Sequence, residues 1–228
     1  MPTEIYPNYY GPVQERKGQN LYELWEKGIP FGDSITPSGF SPQYISRIMA
    51  IITANTPKGA RIVSLGSGNG FIEERLMKAG YQVVCIDCNE EAVAITTRKG
   101  LESICADFFE LSPHILRDAV TIYADGFFGH LYDSCSGLTR SLRHLQALHL
   151  NDNAKIIVSN DAPIKEGADV EPHDSVPNFS YLSPEYLRKQ FKKIGIDELT
   201  SEIFEYHRPI SGIRKRTIYV GILNRQTA

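Results

Sequence analysis

The chain has 228 residues, 42% of them hydrophobic and 22% charged, with a formal net charge of −3. That composition fits one globular domain with a short extension, large enough to bury its own core. It argues against a general nucleic-acid binder, which needs a basic surplus, and no apolar run is long enough to cross a membrane.

The start, Met-Pro-Thr-Glu-Ile-Tyr-Pro, lacks the basic and apolar blocks of a signal peptide, which places the chain in the cytoplasm. Residues 1–58 interleave Tyr6, Tyr9, Tyr10, Tyr22, Trp25, Phe31, Phe40 and Tyr44 with prolines. Helices are predicted over Gln19–Lys27 and Ser41–Ala54, the second with Ser41 as N-cap and Pro42 in its first turn. The irregular segment between them is too aromatic for disorder and reads as a lid over a pocket in 59–228, or as an arm that covers the sheet.

From residue 59 strands and helices alternate. Strands are predicted at 61–66, 82–87, 102–106, 119–124, 154–159, about 198–207 and 215–223. Helices are predicted at about 70–79, 89–98, 112–117, 136–149 and 183–194. Such alternation predicts an α/β fold with a mostly parallel sheet covered on both faces. The last two strands, joined near Ser211 and Gly212 without a helix, suit an antiparallel hairpin.

The first strand ends in Gly66-Ser67-Gly68-Asn69-Gly70, and helical spacing begins at Phe71. A strand that turns through glycines into a helix brings backbone N–H groups close to a ligand. The second strand ends in Asp87, where a carboxylate can accept both hydroxyls of a ribose; its alternative role is a helix N-cap. The glycines follow G-x-G-x-G rather than the dinucleotide G-x-G-x-x-G, and no P-loop Lys-Ser/Thr follows. Cys85 and Cys88 form a C-x-x-C pair, but on one strand they point to opposite faces. All four cysteines, with Cys105 and Cys135, therefore read as small buried hydrophobes, and no metal is expected.

The glycine loop, Asp87, Ala106-Asp107-Phe108 and Asp125-Gly126-Phe127-Phe128-Gly129-His130-Leu131 together closely resemble class I S-adenosylmethionine (SAM)-dependent methyltransferases. The resemblance covers roughly residues 60 to 225 and implies a Rossmann-like seven-stranded sheet closed by a C-terminal antiparallel hairpin. It also implies SAM as cofactor or substrate. Gly66, Ser67, Gly68 and Gly70 would then line its methionine and ribose portions, and Asp87 its ribose hydroxyls. Cys88 and Asn89 would edge the adenine, Asp107 and Phe108 would hold it, and Asp125 and Phe127 would flank the methionine amine and sulfonium. Asp107 is alternatively a capping or turn residue.

The segment 126–131 resembles that of methyltransferases acting on small metabolites rather than the Asn/Asp-Pro-Pro-Tyr signature of nucleobase or glutamine methylation. A small-molecule substrate is therefore expected, with neither nucleic acid nor membrane as partner; the sequence carries no signal for an oligomeric state. His130 is a candidate general base or a structural histidine at a helix start. Tyr9, Tyr10, Trp25 and Phe127 offer aromatic faces to a cation, and Tyr10 is a candidate catalytic residue beside Asp125. Asn160 and Asp161, past the fifth strand, could hold a substrate amine or hydroxyl, with His173 and Tyr181 as further polar handles. Arg208, Arg214 and Arg216 read as a solvated basic edge, or alternatively as carboxylate ligands.

Three readings follow. The first is methyl transfer to an amine or hydroxyl of a small metabolite. The second is a SAM-consuming cyclase resembling azetidine-2-carboxylate synthases, which attacks SAM's own γ-carbon and releases methylthioadenosine. The third is a SAM-binding module without turnover.

Overall fold

The structure, a computed structural model, describes residues 20–29, 36–173, 176, 178–208 and 211–224. Tyr9, Tyr10 and residues 30–35 of the expected lid lie outside them. Helix α1 (Leu21–Glu26) begins at Asn20, whose side chain accepts from the N–H groups of Tyr22 and Glu23. A 3-10 turn at Pro37–Gly39 leads to α2 (Pro42–Asn55), capped by Ser41 with Pro42 in its first turn, as the sequence predicts.

Then come β1 (Arg61–Leu65), α3 (Phe71–Lys78), β2 (Gln82–Asp87), α4 (Glu90–Arg98), β3 (Glu102–Cys105) and β4 (Thr121–Asp125). The one-turn helix α5 (Phe127–His130), α6 (Thr139–Ala147) and β5 (Lys155–Asp161) follow. The chain ends in β6 (Val170–Pro172), β7 (Ser180–Leu182), α7 (Pro184–Lys192), β8 (Ile196–Arg208) and β9 (Gly212–Leu223).

Seven strands form one sheet in the order β3-β2-β1-β4-β5-β9-β8. The pairs from β3 to β5 are parallel, and β9 is antiparallel to both β5 and β8. This is the expected α/β sheet with its terminal hairpin. Alternation along the strands serves two cores. Val63, Leu65, Val84, Ile86, Ile122 and Val158 face α6 and α7. Ile62, Val83, Cys85, Tyr123 and Ile157 face α2 and α3. Among the described residues no helix is long and apolar enough to cross a membrane.

Three features depart from the sequence reading. No α-helix forms over 112–117. A 3-10 turn at Phe108–Glu110 and further turns carry the chain instead, pinned by buried Leu111 and Leu116. The segment is too short for an amphipathic helix to gain over two apolar anchors. Helix α5 and the two-stranded β6-β7 sheet were not expected; both are shorter than any periodicity can register.

The sheet order reverses around β1, so the chain leaves β1 and β4 in opposite directions and a crevice opens at their carboxyl ends. Gly70 shapes the turn into α3. It is left-handed (φ 65°) and a Cβ there would sit 2.8 Å from Thr96 Cγ2 and 3.1 Å from Leu101 Cδ1. Gly70→Ala is expected to lower unfolding stability by roughly 1–3 kcal/mol in urea titration.

Candidate active site

At the carboxyl ends of the parallel strands lies a cavity of about 810 Å³. One wall is the glycine loop. Gly66 and Ser67 donate from their backbones to Ile86 O at 2.8 and 3.2 Å, which locks the loop against β2. At Gly66 a Cβ would lie 2.7 Å from the Phe127 ring, whereas at Gly68 it would meet nothing nearer than Tyr22 Cε1 at 3.9 Å. Gly66 therefore closes the loop onto Phe127, and Gly68 leaves backbone open to the cavity. Gly66, Ser67, Gly68, Cys88, Asn89, Phe108 and Phe127 all line it. Gly70 does not; its work is the packing just described.

Asp87 is buried, with Oδ2 accepting from Gly68 N and Oδ1 from Asn89 N, each at 2.9 Å. Burial raises its pKa against the pull of these backbone donors. The N-cap of α4 is Asn89, not Asp87, through its acceptance from Glu91 N at 2.9 Å. Asp107 lines the cavity and also caps the 3-10 turn, accepting from Phe109 N at 2.8 Å. The four cysteines are free, but only Cys85 is buried; Cys88, Cys105 and Cys135 are exposed, contrary to their reading as core residues. Among the described residues no group of three or more His, Cys, Asp and Glu is placed to hold a metal ion.

Over the loop sits α1. Its Leu21, Tyr22 and Trp25 pack on Ala92 and Ile95 of α4, and Asn69 donates from its amide to Tyr22 O at 2.8 Å and Glu26 Oε1 at 2.7 Å. Tyr22 and Trp25 thereby become walls of the cavity.

The opposite end is charged. Asp125 forms an ion pair with Arg216 Nη2 and accepts from Thr36 Oγ1 at 3.4 Å. Asp161 receives Arg216 Nη1 and Arg208 Nη2, each at 3.0 Å, and the Tyr206 hydroxyl at 3.1 Å. Burial alone would raise the Asp161 pKa, but Arg216 and Arg208 outweigh it and the net shift is downward. Arg208 and Arg216 are only 4% and 3% exposed, so the solvated basic edge expected for them is wrong; both line the cavity.

Asn160 is the other correction. Its Oδ1 accepts from Gly129 N at 2.9 Å, and its Nδ2 donates to Asp161 O and Ser180 O at 2.9 and 3.0 Å. Fully buried, it clamps β5 to α5 and β7 and does not line the cavity. Neighbours on a strand face opposite ways, so only one of Asn160 and Asp161 can look into it. His130 lines the cavity, its ring 4.6 Å from that of Phe179, and burial followed by the nearby His173 lowers its pKa to about 4.

Glu73 was missed. On α3 it reads as a solvent-side residue, yet it is 3% exposed, lines the cavity and accepts from Ser64 Oγ at 2.6 Å. The available signal was Ser64, a polar residue within an apolar strand, which needs a buried partner.

No family model matches the chain. The tabtoxin biosynthesis enzyme of Pseudomonas amygdali pv. tabaci is 41% identical over 219 residues, 95% of this chain and 86% of that protein. Among solved structures, the 1,6-didemethyltoxoflavin-N1-methyltransferase of Burkholderia thailandensis, with 1,6-didemethyltoxoflavin and S-adenosylhomocysteine bound, is similar at TM-score 0.62 and 14% identity. That match covers 81% of this chain and 80% of that one. The cyclase SpnF is similar at TM-score 0.57 and 14% identity, over 78% and 80% of the two chains. At these identities the likeness to solved structures is one of fold.

Burial pushes the Glu73 carboxyl up from 4.5 to about 7, against the Ser64 hydrogen bond. Below pH 4.5 it is protonated in both folded and unfolded chains. Between 4.5 and 7 the folded protein keeps a proton that the unfolded chain has released, so stability falls as pH rises. In urea titrations across that range, Glu73→Gln should match the wild type at the acid end and gain roughly 3 kcal/mol on it at the neutral end.

Proposed function

We propose, from the premise that this chain belongs to the class I S-adenosylmethionine-dependent methyltransferase superfamily and to the family of the tabtoxin biosynthesis enzyme, that it is a SAM-dependent enzyme of small-molecule biosynthesis. Its reaction is methyl transfer to an amine or hydroxyl of a small acceptor. One observation carries this reading: a single cavity runs from Asp87 and Asp107 past Gly66 and Phe127 to Asp125 and Asp161. Small-molecule sites span roughly 300–1,000 Å³, so about 810 Å³ suits a nucleoside together with a second small molecule.

The residues fit SAM. Gly68 offers open backbone, Asp87 stands buried at the tip of β2, and Asn69 Oδ1 is a buried acceptor without a hydrogen-bond partner among the described residues. When bound, SAM supplies an electrophilic carbon on a sulfonium that is already a good leaving group. What remains for the protein is alignment and exclusion of water. Asp87 would hold the ribose hydroxyls, Asp107 and Phe108 the adenine, and Asp125 and Phe127 the approach to the sulfur. Tyr22 and Trp25 of α1, with Thr36 and Ser38 of the segment before α2, would form part of a lid, and the two aromatic faces suit a cation. His130, with its pKa lowered to about 4, is uncharged at neutral pH and can orient an acceptor by hydrogen bonding.

A second reading is favoured by Glu73. A buried carboxyl at about 7 on the wall of the glycine loop can take a proton from an amine within the same ligand. In that reaction Glu73 would take a proton from the ammonium of bound SAM, whose freed amine could then displace the sulfur at the γ-carbon, with methylthioadenosine as the leaving group.

Two measurements test these readings. Asp87→Ala should weaken binding of both S-adenosylhomocysteine and methylthioadenosine by roughly 100-fold or more, because both carry the ribose. Purified protein incubated with SAM alone should release no methylthioadenosine above the spontaneous rate. Enzymatic release of methylthioadenosine without an acceptor would replace methyl transfer by cyclisation.

A further inference from the structure

We propose that Lys99, Glu26 and Asn69 form a latch that fastens α1 over the glycine loop, with Lys99 the positioning residue that sets how fast a nucleoside leaves from beneath it. The inference rests on the loop being a nucleoside site and assigns the part that holds its cover in place.

Helix α1 has six residues, too few to be stable alone, so it is ordered by what it docks on. Leu21, Tyr22 and Trp25 pack on Ala92 and Ile95 of α4. Apolar contact is not directional and would tolerate α1 sliding along α4. Polar contacts fix its place. Glu26 Oε1 accepts from Asn69 Nδ2 at 2.7 Å and from Lys99 Nζ at 2.6 Å, and Lys99 also donates to Asn69 O at 2.8 Å. One carboxylate oxygen and one ammonium thus join α1, the loop and the end of α4 in a closed ring.

Lys99 follows α4 directly, and Gly100 turns the chain there at φ 83°. A lysine at a helix end ordinarily reaches into solvent. Here its side chain is only 13% exposed, with Nζ 4.5 Å from the centre of the Phe71 ring and 3.9 Å from Glu74 Oε2. Its neighbour Arg98 pairs with Glu23, also of α1, but those side chains are 60% and 40% exposed. Water screens that pair and leaves it little to contribute. Two adjacent cations therefore meet α1, and Lys99 alone of the two also bonds to the loop.

Asn69 links the latch to the ligand. The Tyr22 carbonyl and the Glu26 carboxylate can only accept, so the amide turns its nitrogen to α1 and Oδ1 away. Oδ1 is buried without a hydrogen-bond partner among the described residues, and Asn69 lines the cavity. A ligand O–H or N–H that donates to Oδ1 holds the amide in the orientation α1 needs, so binding tightens the latch. Tyr22 Cε1 stands 3.9 Å from where a Cβ on Gly68 would lie, so a nucleoside on Gly68 and Asp87 leaves only when α1 lifts.

Trp25 is the single tryptophan of the chain and reports on α1. It is buried on the cavity wall, so its emission and its quenching by acrylamide follow docking. Dissociation of S-adenosylhomocysteine from the full chain is followed through Trp25 by stopped flow. Lys99→Met is expected to speed dissociation roughly 10-fold, the worth of a charge-assisted contact. Lys99→Arg, which keeps the charge, recovers part of the loss, and Glu26→Gln, which keeps the acceptor without the charge, falls between wild type and Lys99→Met. Arg98→Met changes the rate by less than about twofold. Acrylamide quenching of Trp25 rises in Lys99→Met and falls in the wild type as S-adenosylhomocysteine saturates it.

A Lys99→Met rate within about twofold of wild type overturns the proposal, and so does an equal acceleration in Arg98→Met. Should Lys99→Met fail to fold, Lys99→Arg and Glu26→Gln decide by the same comparison. Failure of S-adenosylhomocysteine to bind the wild type would instead refute the nucleoside reading. The latch is then judged on ligand-free protein: stronger quenching of Trp25 in Lys99→Met than in Arg98→Met supports it, and equal quenching overturns it.

Discussion

Arg216 places a full positive charge where water scarcely reaches, at 3% exposure, and its surroundings are arranged to make that tolerable. Its three nitrogens meet Ser159, Asp161 and Asp125, so one side chain on β9 is bound to both β5 and β4. Removing any one of these partners would leave a buried charge under-compensated, a far larger penalty than the loss of a surface ion pair. The requirement runs outward from there. Asp161 needs Arg208 and Tyr206 to complete its shell, and Ser159 needs Tyr44 from α2. Helix α2, the parallel half of the sheet and the terminal hairpin are thus fixed relative to one another by electrostatics as well as by apolar packing.

The other end of the cavity is built differently, from backbone. Gly66 and Ser67 bond to β2, Gly68 bonds to Asp87, and Asn69 draws α1 down over the loop. This half was legible in the sequence because its causes are local. Glycines after an apolar strand, a carboxylate at the next strand end and helical spacing after the turn all occur within about thirty residues of βαβ unit. The mostly parallel sheet followed from the alternation of elements for the same reason.

The charged half was not legible, and the reasons are specific. Whether Arg216 faces a cavity or solvent depends on the pairing of Asp161 with Arg216 across an antiparallel ladder, between residues 55 positions apart. A one-residue slip would turn the side chain to the other face. The same parity separates Asp161, which lines the cavity, from Asn160, whose amide is consumed in clamping Gly129 and Ser180. Glu73 eluded the helical wheel because its burial is decided by Ser64 on a neighbouring strand, not by the composition of its own helix.

This division bears on how one fold can host different sulfonium chemistries. In the proposed reading the nucleoside end is indifferent to which carbon of the sulfonium is attacked, because its contacts would be to ribose and adenine. The choice falls to whatever fixes the nucleophile: an acceptor approaching in line with the methyl group, or the ligand's own amine folded back toward the sulfur. Those alternatives differ in where an ammonium and a carboxylate must rest, and in whether a base lies beside the glycine loop or beyond it. Glu73 bonds to Ser64 of β1, and the Arg208–Asp161–Arg216–Asp125 group is drawn from β4, β5, β8 and β9. An acceptor held by that group would be placed for methyl transfer, whereas a methionine amine within reach of Glu73 would be placed for cyclisation.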